Sequence, residues 1–464
     1  MKKALLVLMI AVLAFAMVLT SCKEPSEDPP AEHVHTYSTG WTTSDTHHWH
    51  AATCEHTDEK SGYGEHSWNG GQVTIDPTMT TDGVKTYTCT VCGAQKTEPV
   101  QKLAICVSTF AEFEQAFTAI REEGETRTTI CLTADIAWDT TKYAGTTSTK
   151  SVTQVHPFNP SGPEVTYTVP KEKSLAVDAT GLTIDLNNHS ITGVPNLAFE
   201  LRGNSFTIKN GSIVGATTGT ASKFPLIINY SNTATAALKA IAVASKPSSY
   251  DNDDTTGMWA KRIKVDGITI TNGGCSIAYS TFEISNCSFS STNERALNII
   301  GSSGTLSGVT LYSAATGNSA LYVQNFADVV VTGTVSAVGR VGGYFNSCSV
   351  ATVASSGSLV LGVTGNGSSN KVPYIIEKQA ELIVNGGLKI DTTNSTAVDE
   401  KYCLIQTSGM LTMNAGSSIV DKTDNVIAKN AAEISTGKTD KSTYDESWKN
   451  YNQVPVVTDN RVLE

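Results

Sequence analysis

The chain has 464 residues, a formal charge of −11 and 40% hydrophobic content. That acidic balance excludes a protein that holds nucleic acid through phosphate contacts. The length exceeds one ordinary globular domain, yet a solenoid spends several hundred residues on a single body.

Residues 1–21 open with Lys2 and Lys3, run through an apolar stretch from Ala4 to Val18, and close on Leu19-Thr20-Ser21. The positive start and short greasy core predict an export signal, and the run is too short to span a membrane. With Cys22 next, the ending resembles the lipobox of bacterial lipoproteins. The resemblance implies cleavage before Cys22 and a lipid on its sulfur and new amino terminus, so the expected partner is a membrane. The expected address is the bacterial cell envelope, on its outer surface. The plainer alternative is a secretory signal that happens to contain a cysteine. Residues 22–35 begin with KEPSEDPPAE after the cysteine. A stretch so rich in proline and acid buries too little to offset its ordering entropy and reads as a flexible tether.

A small module is expected over residues 36–100. Seven of the nine histidines and three of the six tryptophans fall between Ala31 and Val100. Cys54 and His56 stand two apart, which in an extended strand puts both on one side. Cys89 and Cys92 form a Cys-x-x-Cys turn closing on Gly93, whose backbone freedom suits a tight knuckle. Three thiols and one imidazole suit tetrahedral zinc, so a structural zinc is expected on Cys54, His56, Cys89 and Cys92. His47, His48, His50 and His66 are substitutes for His56. Two alternatives stay open: a disulfide in an oxidising compartment, or solvated side chains without a ligand. A redox role lacks the strand–helix–strand context that a thioredoxin-like motif requires. The pieces HTYSTGWTTSDTHHWHAATCEH, EHSWNGG and GVKTYTCTVCG resemble a short module of surface proteins from host-associated anaerobic bacteria. That resemblance implies a spacer or display role.

Residues 101–440 are rich in Thr, Ser, Gly, Asn, Val and Ile, the composition of short strands and turns. From Val107 to Gly124, the spacing of Phe110, Phe113, Phe117 and Ile120 predicts an amphipathic helix, with Thr109 and Glu112 as a capping box and Gly124 as the stop. Such a helix is expected to cap the open end of a strand stack. Six-residue windows then recur, apolar at both ends with Asn or Gly third. They start at Leu186, Ile208, Val265, Ile284, Leu306 and Ile383. Asn and Gly enter the left-handed backbone region at least cost, so each window predicts a corner between two strands, with the asparagines stacked as a ladder. The steps 186 to 208, 265 to 284 and 284 to 306 are each about 20 residues. The steps 208 to 265 and 306 to 383 leave room for two coils and for three or four. A period near 20 predicts an all-β parallel β-helix, whereas a propeller needs about twice that and a sandwich needs no recurrent asparagine. LTIDLNNHSITG and FTIKNGSIVG resemble right-handed parallel β-helix proteins of the pectate-lyase-like superfamily, a likeness that covers roughly residues 105–435. Residues 441–464 are left as a C-terminal cap or tail.

The segment from Gly215 to Arg262 interrupts the repeat and holds Asp251, Asp253 and Asp254; calcium there is not expected, since such runs are usually solvated loops. Asp266, Glu283, Asp328, Glu381 and Asp391 are spread singly over different windows, and Arg262 and Arg340 stand apart. Glycoside hydrolysis uses paired carboxyl groups, so no converging catalytic set is expected. Tyr312, Tyr322 and Tyr344 are candidates for a glycan-stacking face or ordinary packing. The remaining cysteines read as small apolar residues. The expectation is a non-catalytic, lipid-anchored surface protein whose β-helix binds a glycan or a surface protein, with a polysaccharide lyase or glycoside hydrolase as the rival.

Overall fold

The structure is a computed structural model. It describes residues 33–122, 124–145, 149–155, 164–170, 175–178, 181–202, 205–218, 223–228, 262–278, 280–325, 327–364, 372–377, 379–391, 404–405, 409–421, 423–424 and 456–461. The export signal, Cys22, Asp251, Asp253 and Asp254 lie outside these residues. The chain divides into two compact units, one built from residues up to 74 and from 84–98, the other from 75–83 and from 99 onward.

The first unit is all strand and turn. Thr42–Thr43, His47–Ala51 and Lys60–Glu65 form an antiparallel sheet. Gln72–Ile75, Gly83–Thr88 and Gln95–Val100 form another sheet of three. Neither sheet buries an apolar side: Tyr63 on the first and Val73 and Ile75 on the second are exposed. Among the described residues of this unit, the only buried side chains are His48 and Cys89. So small a body cannot be held by apolar burial alone and needs a staple.

The second unit is the expected parallel β-helix. It opens with the strand Ile105–Val107 and the helix Phe110–Glu122. The capping box is reciprocal: the Glu112 N–H donates to Thr109 Oγ1 at 3.2 Å, and the Thr109 N–H donates to Glu112 Oε2 at 3.2 Å. The helix stops at Gly124, which has a φ of 74°. Its apolar stripe lands on the first coils, with Phe113 against Phe199 and Phe110 against Trp138. The exposed end of the core is therefore covered by aromatic rings.

Three parallel ladders follow, one per face. On the first face the register runs Leu182, Phe206, Ile263, Phe282, Gly304, Val329, Ala351, Leu382, Leu411, Val457. On the second it runs Ile191, Ile213, Ile270, Phe289, Leu311, Ala337, Leu361, Ile390. Strands on these faces alternate buried and exposed, as in Thr281–Ser285 and Val309–Ser313, so every second residue enters one continuous core. Full burial of each such side chain contributes about 1.5–3 kcal/mol before entropy is counted. The third face is a nine-stranded sheet of a different kind. Cys275–Ala278 and Leu297–Ile300 are buried at every position, and its outward positions Glu200, Ser276, Asn298 and Tyr322 are all at most 8% exposed.

The repeated windows sit at the corner between the first two faces. Asn188, Asn210, Gly267, Asn286 and Gly308 all take positive φ, between 55° and 65°. The sixth window solves the corner differently. Asn385 accepts from Asn414 Nδ2 at 2.8 Å, and Asn414 accepts in turn from Asn460 Nδ2 at 2.9 Å. An asparagine ladder is thus present in these last coils and not at the left-handed corners, where Asn210 and Asn286 donate instead to Asp185 and Asp266. One spacing needs correction: Ile208 pairs directly with Val265, so the step between them is one coil and not two. The step from Leu306 to the window at Ile383 is three coils, through Val331 and Val353, but that window is offset by one residue: Val384 and not Ile383 takes the buried position in line with Leu306.

Candidate metal centre

The buried pair of the first unit belongs to a donor set. His48, His66, Cys89 and Cys92 present ligand atoms that all lie within 4.8 Å of one another. His48 projects from the strand His47–Ala51, and His66 follows the strand Lys60–Glu65, where its N–H donates to the Thr46 carbonyl. Cys89 follows the strand Gly83–Thr88 and forms an antiparallel bridge with Trp68. The chain then turns back, with the Gly93 N–H donating to the Cys89 carbonyl at 3.0 Å and Gly93 at a φ of 75°. This knuckle aims Cys92 Sγ at His66 Nδ1, 3.4 Å away, while Cys89 Sγ lies 4.0 Å from His48 Nδ1. Sulfur–nitrogen edges of a tetrahedral zinc site are ~3.6 Å, from ordinary bond lengths. The set joins the two sheets of the module at one point.

A second set lies at the start of the described chain. His33, His35, Cys54 and His56 also place their ligand atoms within 4.8 Å of one another. Backbone register explains why. Tyr37 and Ala52 form an antiparallel bridge, flanked by Ser38 N–H to Ala51 carbonyl at 2.8 Å and Thr53 N–H to Thr36 carbonyl at 2.7 Å. Continuing that register outward puts His35 across from Cys54 and His33 across from His56. Side chains two apart share a side, so all four converge, with Cys54 Sγ 3.6 Å from His35 Nδ1.

The electrostatics favour thiolates in both sets. Hydrogen bonds from His33 and His35 hold the Cys54 thiol down at about 5. Burial pushes the Cys89 thiol up, but the backbone N–H groups of Cys92 and Val91 and the His66 ring outweigh it, leaving it at about 5. The His66 imidazole is raised, first by the Ser44 carbonyl and then by Cys89. Thiolate is the form that ligates metal.

The four residues expected to share one zinc are therefore divided. Cys54 and His56 go with His33 and His35, whereas Cys89 and Cys92 go with His48 and His66. Sequence spacing could not show this, because each set is closed by pairing between segments distant in the chain. His33 and His35 fall in the stretch read as tether; their signal was a His-x-His mirroring Cys54-x-His56. Of the proposed substitutes, His48 and His66 are donors. His47 stacks on Tyr63 and His50 on Trp41, with ring centroids 4.7 and 3.9 Å apart. All eight described cysteines are free, so no disulfide links them.

On the β-helix, register gathers residues that looked scattered. Arg262, Lys264, Glu283 and Asp328 line a groove of about 610 Å³ on the first face, with Thr207, Thr281, Ser303 and Thr305 between them. The tyrosines mostly pack. Tyr322 is 8% exposed and lies under the Arg295 guanidinium, and the Tyr344 hydroxyl donates to Glu377 at 2.6 Å. Tyr312, at 41%, is exposed. Arg340 is half-buried. No family model, curated protein or solved structure matches this chain.

Proposed function

We propose that this chain is a lipid-anchored protein of the bacterial cell envelope, in which a zinc-built module carries a β-helix that binds glycans or surface proteins without turning them over. The observation that carries the reading is the contrast between the two units. The module has no apolar core, and its two buried side chains are both members of one donor set. The β-helix has a continuous apolar core and, on its first face, a groove that carries charged and hydroxyl side chains. His48, His66, Cys89 and Cys92 supply two thiolates and two imidazoles, a combination that fills all four positions of zinc and leaves none open for a substrate. A closed site of this kind staples sheets; it does not catalyse. The lipid on Cys22 and the acidic tether are the means of attachment. No helix among the described residues is long and apolar enough to cross a membrane.

The groove suits a hydroxyl-rich ligand, since hydroxyls and charges of both signs line it. Binding of a glycan panel by detergent-extracted protein is expected, without new reducing ends or unsaturated products. The double variant Lys264→Ala with Glu283→Gln should weaken that binding. Cys22→Ala should move the protein from membranes to the soluble fraction, and unchanged partitioning would remove the lipid anchor. A second reading, polysaccharide cleavage, is favoured by one observation: Glu283 and Asp328 share the groove. Cleavage products that vanish in Glu283→Gln or Asp328→Asn would establish that reading in place of the first.

A further inference from the structure

We infer that His33, His35, Cys54 and His56 form a second zinc site, separate from the structural one, which exchanges its metal with the surroundings and pins the chain where the tether enters the module. The argument begins with the donor atoms. All four lie within 4.8 Å of one another, and the sulfur–nitrogen edge between Cys54 and His35 is 3.6 Å. The tetrahedral edge at ordinary zinc bond lengths is also ~3.6 Å. The three rings pack edge to face, with centroids 4.6–5.1 Å apart. Antiparallel register from the Tyr37–Ala52 bridge sets this arrangement, so the site is preformed by backbone pairing.

Its character differs from that of the first set in two respects. It has one thiolate and three imidazoles, where the other has two of each. With Zn²⁺ bound, it keeps a net charge near +1, whereas the other is neutral. Exposure also differs: His33 and His56 are exposed and His35 and Cys54 half-buried, while His48 and Cys89 are buried. Fewer thiolates weaken the hold on a borderline-soft ion, and open flanks give water and competing ligands a path to it. The second site is therefore the one that loads and empties while the first stays filled.

The consequence is local. Residues 33–36 belong to no strand. The backbone contacts that fasten them to residues 51–54 begin only at Thr36. Metal across 33/35 and 54/56 extends that fastening by three residues toward the membrane anchor. The inference uses residues not involved in the structural zinc, and the two fail independently.

The test uses the full chain, extracted in detergent and loaded with Zn²⁺. Elemental analysis should find two zinc ions per chain. The double variant His33→Ala with His35→Ala should keep one, and Cys92→Ser should keep the other. A colorimetric chelator at graded concentration should strip the wild type in two phases, the faster of which is absent from the histidine variant. Replacement by Co²⁺ adds a readout of donor type: the sulfur-to-cobalt band in Cys92→Ser should arise from a single thiolate. Protease cleavage between 23 and 36 should slow when zinc is added to the wild type but not to the histidine variant. Two zinc ions retained by the histidine variant would overturn the inference, as would one-phase release from the wild type. A single wild-type zinc that survives the histidine changes overturns this site and spares the first. A single zinc lost with them and kept in Cys92→Ser does the reverse.

Discussion

Gly304→Ala tests the packing of the β-helix with one methyl group. Gly304 occupies an inward position of the first face, between Phe282 on one coil and Val329 on the next. A Cβ there would stand 2.1 Å from the Phe282 carbonyl oxygen and 2.7 Å from its ring. Ordinary contact needs at least ~3.4 Å, so relief requires a shift of more than ~1 Å between strands spaced ~4.8 Å apart. The offending atom is backbone, held in a ladder on both sides, and cannot rotate away as a side-chain tip does. Overpacking of this kind costs about 1–3 kcal/mol. Because coils touch only their neighbours, the loss should stay local. Amide exchange should accelerate roughly 5- to 150-fold in Thr281–Ser285, Ser303–Ser307 and Asp328–Val331, with zinc content unchanged. Gly317→Ala is the matched control: nothing lies within 4 Å of its added Cβ, and a surface change of that kind stays within about 0.5 kcal/mol. Equal exchange in the two variants would refute the packing argument.

Two further outcomes follow from polar contacts. Arg127 holds the Glu125 carboxyl at about 2 through a two-pronged ion pair, with the nearer contact at 2.7 Å. A depressed carboxyl stabilises the fold fully above its unfolded value of about 4.5 and loses that contribution as pH falls through about 2. Acid unfolding of the helix-capped end should therefore be shallower in Glu125→Gln than in wild type, and identical profiles would deny the pair a role. Asn414→Ala removes the middle of the amide ladder between Asn385 and Asn460. It should cost about 1–2 kcal/mol and raise exchange at Met410–Met413 and Val456–Asp459; strands that remain protected would show that the ladder is ornamental.

The parts of this fold that were legible in sequence were those whose cause is local. The helix could be read because Thr109, Glu112 and Gly124 make their contacts within one or two turns. The corner could be read because a left-handed residue there restricts the choice to Asn or Gly, and five of six windows obey it. The third face could not: runs such as Leu297–Ile300 are buried on both sides and carry no alternation. The step from 208 to 265 misled because a long insertion inside one coil looks the same as two coils. The metal donors show the same boundary. Cys89 and Cys92, with Gly93 closing the turn, form a local knuckle, so their thiols could be grouped from sequence alone. Their imidazole partners arrive by strand pairing across the module, and Cys54 with His56 is claimed by residues at the far end of an antiparallel bridge.

The uneven length of the coils has a consequence for reach. Successive first-face partners are 19 residues apart at Ile263 and Phe282, 22 at Phe282 and Gly304, and 31 at Ala351 and Leu382. Each adds the same single rung. The height of the stack is thus a count of rungs, nine strands on the third face with eight intervals of ~4.8 Å, or about 38 Å, and is indifferent to how much chain a rung contains. Residues added at the corners change what lies beside the stack and leave its height unaltered. Such a body works as a ruler with interchangeable edges: what it presents can be revised by insertion at a fixed distance along its axis, and only the gain or loss of a whole coil moves that distance.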